Sequence, residues 1–485
     1  MFNSTVKVNN FIYLATLILS LSGITAAVIL YASFKVIVAF SLLPILIIFY
    51  LNAPDFAKIV FLMLMITFPI TLQALGKDAF STGTLLIFAT LIWSMAKYKL
   101  SKTIADDKLI FKFLALIVCI GFVGMITKTP SAYWGPAIRH YVNLISSIAV
   151  FILIVHSQNI AGITRSNNEY IEKIINTLLL ITILHVFLSL LILNYPSIEK
   201  YLTIFLNRGQ EQLGGHLRDG IYERATSVFT RGEEFGELLI LLYPFSLYKI
   251  FISRKKIYWV VVSSFILGIL LSGTRSAFLL IIFQSLAFFY ILVPAKYNNR
   301  KIIITVSFIL VCIMMLPVFF KYAPILMDRV QASLDQIVQK DDILTITNRS
   351  VVWPLAWDLT KNTISFFGHG PIQAHGLGYP VKNFHNLYLS LIFQFGIIGL
   401  IVIFSFFFTL FKRLLLIVKW KREKDKNYLL AITCLLSFSC FLINEFKFEF
   451  NRSDSYQQFV WIIFAIYYLT GRLNKYFLNE ESNYN

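Results

Sequence analysis

His385-Asn386 and, nine residues later, Gly396-Ile-Ile-Gly399 lie where a long polar stretch enters an apolar one, in NFHNLYLSLIFQFGIIGL. An imidazole at a membrane–water boundary is placed to move a proton near neutral pH. The two glycines are expected on one helix face, where a neighbouring backbone can come close. Four arginines stand at similar boundaries. Arg275 is in LSGTRSAFLL, Arg349 in TITNRSVVWPL, and Arg224 and Arg231 in YERATSVFTRGEEFGE. A guanidinium stays charged at any working pH, and its planar fork of donors suits phosphate oxygens. Such a histidine and such forks together suit proton movement beside a bound phosphate group.

Each residue also has an ordinary reading. Arginines at helix ends snorkel or form ion pairs, and Glu223, Glu233 and Glu234 are available partners. A lone interfacial histidine can simply be hydrogen-bonded. A metal site built from His369, His375 and His385 has spacings of six and ten residues, which fit no helical or finger-type ligand pattern. No metal or cofactor is therefore expected. No Walker sequence, dinucleotide fingerprint or D-x-D motif is present. Glu237, Glu445 and Glu449 are the remaining acidic candidates for a base, and Arg231, Lys447 and Arg452 are their natural partners.

The elements that must position these residues are membrane helices. The 485-residue chain is 58% hydrophobic and only 14% charged, with mean hydropathy +0.73. A soluble domain carries about 25% charged residues. The sequence therefore predicts an all-α polytopic membrane protein, a single integral domain over 1–485. The net charge of +18 does not indicate nucleic acid, because the basic residues cluster in short segments between apolar runs. The four cysteines lie inside apolar runs and read as packing residues.

At roughly 20 apolar residues per span, about 14 helices are expected, or 12 if closely spaced pairs are re-entrant. Their centres fall near Ser20, Pro44, Met65, Phe88, Cys119, Ser147, Ile183, Leu242, Phe265, Gln284, Leu310, Ile397, Leu436 and Ala465. Basic clusters at Lys97–Lys102, Lys249–Lys256, Lys296–Lys301 and Lys412–Lys426, with Arg472 and Lys475, fall on one side by this count. That side is expected to be the cytoplasm, with both termini facing it. The longer polar segments, roughly 194–232 and 321–384, fall on the other side. In the second, Val352, Leu355, Ala356 and Leu359 form a stripe beside Trp353 and Trp357, predicting a helix on the membrane surface with Pro354 in its first turn. Gly368-His369-Gly370 and Gly376-Leu377-Gly378 make a glycine-rich approach to His385.

The His385-Asn386-x9-Gly396-x-x-Gly399 spacing resembles the O-antigen ligase and polymerase superfamily. So do Arg349 with Trp353 close behind, the Ser272-Gly-Thr-Arg275 turn and the Arg224-to-Pro244 segment. The resemblance covers roughly 220–470. It implies a helical fold of the C-type glycosyltransferase kind with a periplasmic lid, in a bacterial inner membrane. It implies a lipid-linked donor, a glycan on undecaprenyl diphosphate. The acceptor would be the lipid A-core in a ligase or a second lipid-linked glycan in a polymerase, where a chain-length regulator is a possible partner. Arg275 and Arg349 would hold the carrier diphosphate and His385 would activate the acceptor hydroxyl. Arg224, Arg231, Trp353 and Asn386 would line the substrate. The spacing of the histidine motif favours the ligase; the chain length leans toward the polymerase. The competing class, a lipid-linked glycan flippase, would place ionisable groups near the bilayer midplane.

Overall fold

The computed structural model describes residues 55–68, 82–97, 107–160, 167–195, 227, 229, 232–253, 255–292, 349–363, 366–379, 384–420, 425–446 and 453–482. Over these residues the protein is helical. The helices are α1 (Asp55–Thr67), α2 (Thr82–Lys97), α3 (Lys108–Lys128), α4 (Trp134–Ile160), α5 (Asn167–Asn194), α6 (Gly232–Ser253), α7 (Ile257–Ser272), α8 (Arg275–Leu292), α9 (Arg349–Thr363), α10 (Leu387–Trp420), α11 (Lys426–Asn444) and α12 (Asp454–Ser482). Six of them, α3, α4, α5, α6, α10 and α11, are long and apolar enough to cross a membrane. Four shorter apolar helices, α1, α2, α7 and α8, pack among them. The expected centres near Ser20, Pro44 and Leu310 lie outside the described residues, as do Arg224 and Arg231.

The core runs along α6 and α12. Every residue from Glu234 to Lys249 is buried, and so is the helix from Ser455 through Gly471. A helix apolar all round belongs inside a bundle rather than against lipid. α12 packs against α4 and α10; α6 packs against α7, α8 and α11. Aromatic rings fill the centre, with Phe406, Phe407, Phe438, Phe441, Trp461 and Phe464 in a continuous set of edge, tilted and stacked contacts.

Pro244 stands inside α6. Proline has no N–H, so the carbonyl of Ile240 one turn earlier loses its helical donor. Side chains of two neighbouring helices donate to this carbonyl and to the next one. Gln284 of α8 donates from Nε2 to Ile240 O at 3.1 Å, and Ser437 of α11 donates to Leu241 O at 2.6 Å. In a bilayer no water can do this, so neighbouring helices must.

A set of ion pairs gathers at one end of the bundle. Arg413, late in α10, pairs with Asp107 at the start of α3. Lys249, at the end of α6, pairs with Glu172 at the start of α5, and Lys426 opens α11 3.2 Å from the same carboxylate. Chain direction alternates through α6, α7 and α8 and again through α10 and α11, so the α7–α8 turn and the start of α10 fall at the opposite end.

Two expectations are corrected here. Pro354 is not in the first turn of its helix; α9 begins at Arg349, which puts the proline one turn further in. Gly396 and Gly399 do not share a helix face. Gly396 has φ 67° and ψ −171°, so α10 is two helical pieces, 387–395 and 397–420, across a break.

Candidate functional site

The break at Gly396 frees backbone groups, and the segment before His385 takes them up. His369 N–H donates to Phe393 O at 3.0 Å and Gly370 N–H to Gln394 O at 2.9 Å. Ile398 N–H donates to Phe366 O at 3.3 Å. The backbone that approaches here meets Phe393, Gln394 and Ile398 beside the glycine pair, as a partner for orphaned groups rather than as a crossing helix. Only glycine fits at the crossing. A Cβ on Gly368 would overlap the backbone of Gln394, and one on Gly124 would stand 2.5 Å from Gly368 O. Gly370 has φ 81°, a conformation glycine tolerates, and a Cβ there would meet Met125 N at 2.8 Å. Thr129, the residue that ends α3, donates to His369 O at 2.6 Å.

His369 lies over Phe393, ring centres 4.7 Å apart, with Nδ1 3.4 Å from Lys128 O. Burial pushes its pKa below the ordinary histidine value, more than the Lys128 carbonyl raises it. Ile372, Ala374, Leu377, Phe384 and Phe393 close over this segment as a small separate core with Met125 and Ala137.

His385 is held between two buried neighbours. Phe384 packs edge-on against Phe393 at 5.2 Å. Asn386 caps α10: its Oδ1 accepts from Leu389 N–H at 3.1 Å and its Nδ2 donates to Phe446 O at 3.3 Å. Leu387 N–H donates to Glu445 O at 2.9 Å. With both flanks fixed, His385 adopts φ 51°, a left-handed conformation rare outside glycine, and its side chain stays half-buried at the bundle end. Both polar ends of the Asn386 amide are thus engaged in holding the junction.

Glu445 follows Asn444 at the end of α11, and Asn444 Nδ2 donates to Glu237 in the first turns of α6. Glu234, Glu237 and Glu445 are all buried. The same part of α6 receives the α7–α8 turn. Thr274 donates to Gly232 O at 3.2 Å, and Gly236 leaves room for the Ser272 and Thr274 hydroxyls. Gly273 carries the turn at φ 60°, and half-buried Arg275 opens α8 directly after it. A connected run of contacts therefore links the Arg275 turn, the start of α6, the end of α11 and the His385–Asn386 junction. Arg349 opens α9, which packs on α10. Trp353 is half-buried one turn later, while Leu355 and Trp357 are exposed. Among the described residues no group of three or more His, Cys, Asp or Glu side chains is arranged to hold a metal ion.

Some polar residues that the sequence reading passed over are as firmly placed. Gln284 serves the proline break. His185 of α5, wholly buried, meets Ser227, whose neighbourhood in sequence holds Arg224 and Arg231. The signal for both was available as a single strong hydrogen-bonding side chain inside an otherwise apolar run.

Residues 259–404 match the family model described as O-antigen ligase. The matched segment holds Arg275, Arg349, Trp353, His385 and Asn386, as well as the break at Gly396. No curated protein matches the chain. The chain is thus an integral membrane protein whose segment 259–404 is similar to the O-antigen ligase family.

Proposed function

We propose that this membrane protein transfers glycan from a polyprenyl-diphosphate carrier, undecaprenyl diphosphate, to a hydroxyl acceptor on the outer face of the bacterial inner membrane. The acceptor oxygen attacks the anomeric carbon. The bond from that carbon to the diphosphate oxygen breaks, and the diphosphate leaves with its lipid. Arg275 and Arg349 neutralise the charge that grows on the leaving group, and stabilisation of developing charge is commonly the main source of an enzyme's rate enhancement. Arg224 and Arg231 add contacts to the donor, and Trp353 offers its ring to the sugar. His385 takes the acceptor proton; an unperturbed imidazole, with pKa about 6.5, is near the useful range for a base. Asn386 acts by fixing the junction that presents His385.

The observation that carries this reading is the run of contacts from the Arg275 turn through Glu237 and Asn444 to the His385–Asn386 junction, inside and beside the matched segment. It gathers a fixed cation and a titratable base at the end of the bundle opposite the basic residues. That end is outward if the basic end is cytoplasmic.

The acceptor is lipid A-core in our first reading, which makes the protein a ligase. A second lipid-linked glycan would make it a polymerase, with the same diphosphate clamp and the same base. Deleting the gene separates them. Loss of a ligase leaves lipid A-core bare while long glycan accumulates on the carrier. A core capped by one repeat unit, without a ladder, would reject the ligase and leave the polymerase.

A further inference from the structure

We propose that Tyr388 is a positioning residue that clamps the start of α10 to the end of α11 and thereby fixes where His385 stands for the acceptor. The proposal rests on the base role given above to His385.

The break at Gly396 leaves residues 387–395 as a short helical piece whose direction the long piece 397–420 no longer dictates. Its pose must come from its neighbours. One end is held by the glycine segment, through the bonds of His369 and Gly370 to Phe393 O and Gln394 O. The other end follows His385 and is held by carbonyls at the end of α11. Asn386 Nδ2 donates to Phe446 O at 3.3 Å, Leu387 N–H to Glu445 O at 2.9 Å, and Tyr388 Oη to Leu442 O at 2.8 Å. The three residues directly after His385 thus meet one helix end. Glu445 and Phe446 lie past the last residue of α11, so the tyrosine bond is the one of the three that reaches the helix itself.

Local chemistry explains why that carbonyl is available. The last carbonyls of a helix lack intrahelical donors. Here Glu445 N–H serves Phe441 O at 3.0 Å, and Phe446 N–H turns to Ile443 O at 3.4 Å. Leu442 O, which a continuing helix would pair with Phe446 N–H, takes its donor from Tyr388 instead. The half-buried ring of Tyr388 stacks on Phe404, centres 5.7 Å apart, and lies against Phe446 at 4.5 Å. Phenylalanine would keep both ring contacts. What the hydroxyl adds is the bond to Leu442.

That bond bears on His385. Its φ of 51° is a strained conformation, which persists only where the surroundings over-determine it. Phe384, seated on Phe393, supplies the constraint on one side of His385, and the clamp on α11 supplies it on the other. A tyrosine that only satisfied a carbonyl would add stability. One that holds the piece also sets the place of the imidazole.

Tyr388→Phe separates the two roles. The full-length protein is assayed with undecaprenyl-diphosphate-linked glycan as donor. Lipid A-core is the acceptor, or the same lipid-linked glycan should the parent prove a polymerase. The rate of modification of His385 by diethyl pyrocarbonate, read at that residue by mass spectrometry, reports its freedom without any turnover. We expect Tyr388→Phe to lower kcat about fivefold and to speed modification at 385 by about as much, the worth of one ordinary hydrogen bond. Both KM values should stay within about twofold, since the acceptor proton moves only in the transition state. Gln284→Leu is the control, because it strips a donor from a carbonyl elsewhere. It should lower the thermal midpoint and leave kcat and modification at 385 at the parent level. Parent kcat and parent modification in Tyr388→Phe would overturn the clamp. So would an equal loss of kcat in Gln284→Leu, which would make activity follow stability alone. If His385→Asn transfers glycan at the parent rate while Tyr388→Phe still speeds modification at 385, the clamp stands and the base role of His385 falls.

Discussion

Gly370 donates its backbone N–H to the carbonyl of Gln394 at 2.9 Å, across a break in α10 that an unbroken helix would not offer. The bond explains two glycine signals at once. Gly396 opens the helix, and Gly368 and Gly370 let a second backbone reach the opened groups. The same segment packs beside His385, since Ile372 and Ala374 share a small core with Phe384, the residue before it.

Gly368→Ala should therefore be severe. Its methyl group would press on the backbone of Gln394, where no flexible side chain can give way. Overpacking of this kind costs about 1–3 kcal/mol or more. Thermal unfolding in detergent should show a lower midpoint, and transfer should fall with it. Gly135→Ala, where nothing stands within 4 Å of an added Cβ, is the control. Equal behaviour of the two variants would remove the close approach as an explanation.

The proline break in α6 gives a second test. Gln284→Leu should leave the Ile240 carbonyl buried without a donor, at a cost of about 1–3 kcal/mol. Restoring the missing N–H with Pro244→Ala in the same chain should recover most of that loss, because the helix then supplies its own donor. The four proteins are compared by thermal midpoint. If Gln284→Leu is as damaging with alanine at 244 as with proline, the bond to Ile240 is not what Gln284 contributes.

The sequence made some of this legible and hid the rest for identifiable reasons. Apolar length gave helices around Cys119, Ser147, Leu242 and Leu436, because twenty apolar residues have few other ways to fold in lipid. Charge asymmetry predicts that Arg275 and His385 share the outer side, and that expectation goes to the labelling experiment below. Gly396 departs from the helix that the sequence predicts, since a glycine pair three residues apart is the same string in an intact helix and in a broken one. Only the pairing of Phe393, Gln394 and Ile398 with residues 366–370 decides it. The hold on Asn386 was only half legible: its cap on Leu389 N–H is local, but its bond to Phe446 runs to a residue sixty positions away, which no local pattern reveals.

Acidification should loosen the glycine segment. Burial lowers the pKa of His369 in the folded protein below its value in the unfolded chain, about 6.5. The unfolded state then binds the proton first, so this contribution to stability is complete above pH ~6.5 and is lost as pH falls through the folded pKa. A thermal midpoint measured from pH 7.5 down to pH 5 should decline more steeply in the parent than in His369→Asn, which cannot be protonated. Parallel curves would show that His369 contributes nothing to the pH dependence.

Orientation is open to direct measurement. Ser350→Cys, beside Arg349, should react with an impermeant thiol reagent in cells with a permeabilised outer membrane but an intact inner one. Arg422→Cys, in the basic run after α10, should react only after the inner membrane is disrupted. The expectation rests on the basic end, where Lys249, Arg413 and Lys426 meet Glu172 and Asp107. The reverse pattern would put the His385 end in the cytoplasm and discard the outer-face reaction.

Arg275, Arg349 and His385 divide the proposed reaction between leaving group and nucleophile, and their variants should fail differently. Arg275→Ala and Arg349→Ala each remove a fixed charge from the developing diphosphate. Such a loss costs on the order of 3 kcal/mol, about a hundredfold in rate. Lysine should rescue poorly, because a point charge does not reproduce a planar fork. His385→Ala should lose transfer yet keep donor-lipid binding, since the imidazole acts on the acceptor. The protein should still insert, as Phe384 and the Asn386 cap hold the junction without the ring. Small residues at 385 also bring their own strain at φ 51°, so His385→Asn, which tolerates that backbone, is the cleaner comparison. Transfer rates and donor binding are measured on the same purified preparations. Donor binding lost in the histidine variants as fully as in the arginine ones would collapse the division of roles, and near-parent activity in both arginine variants would mark those residues as ordinary interfacial cations.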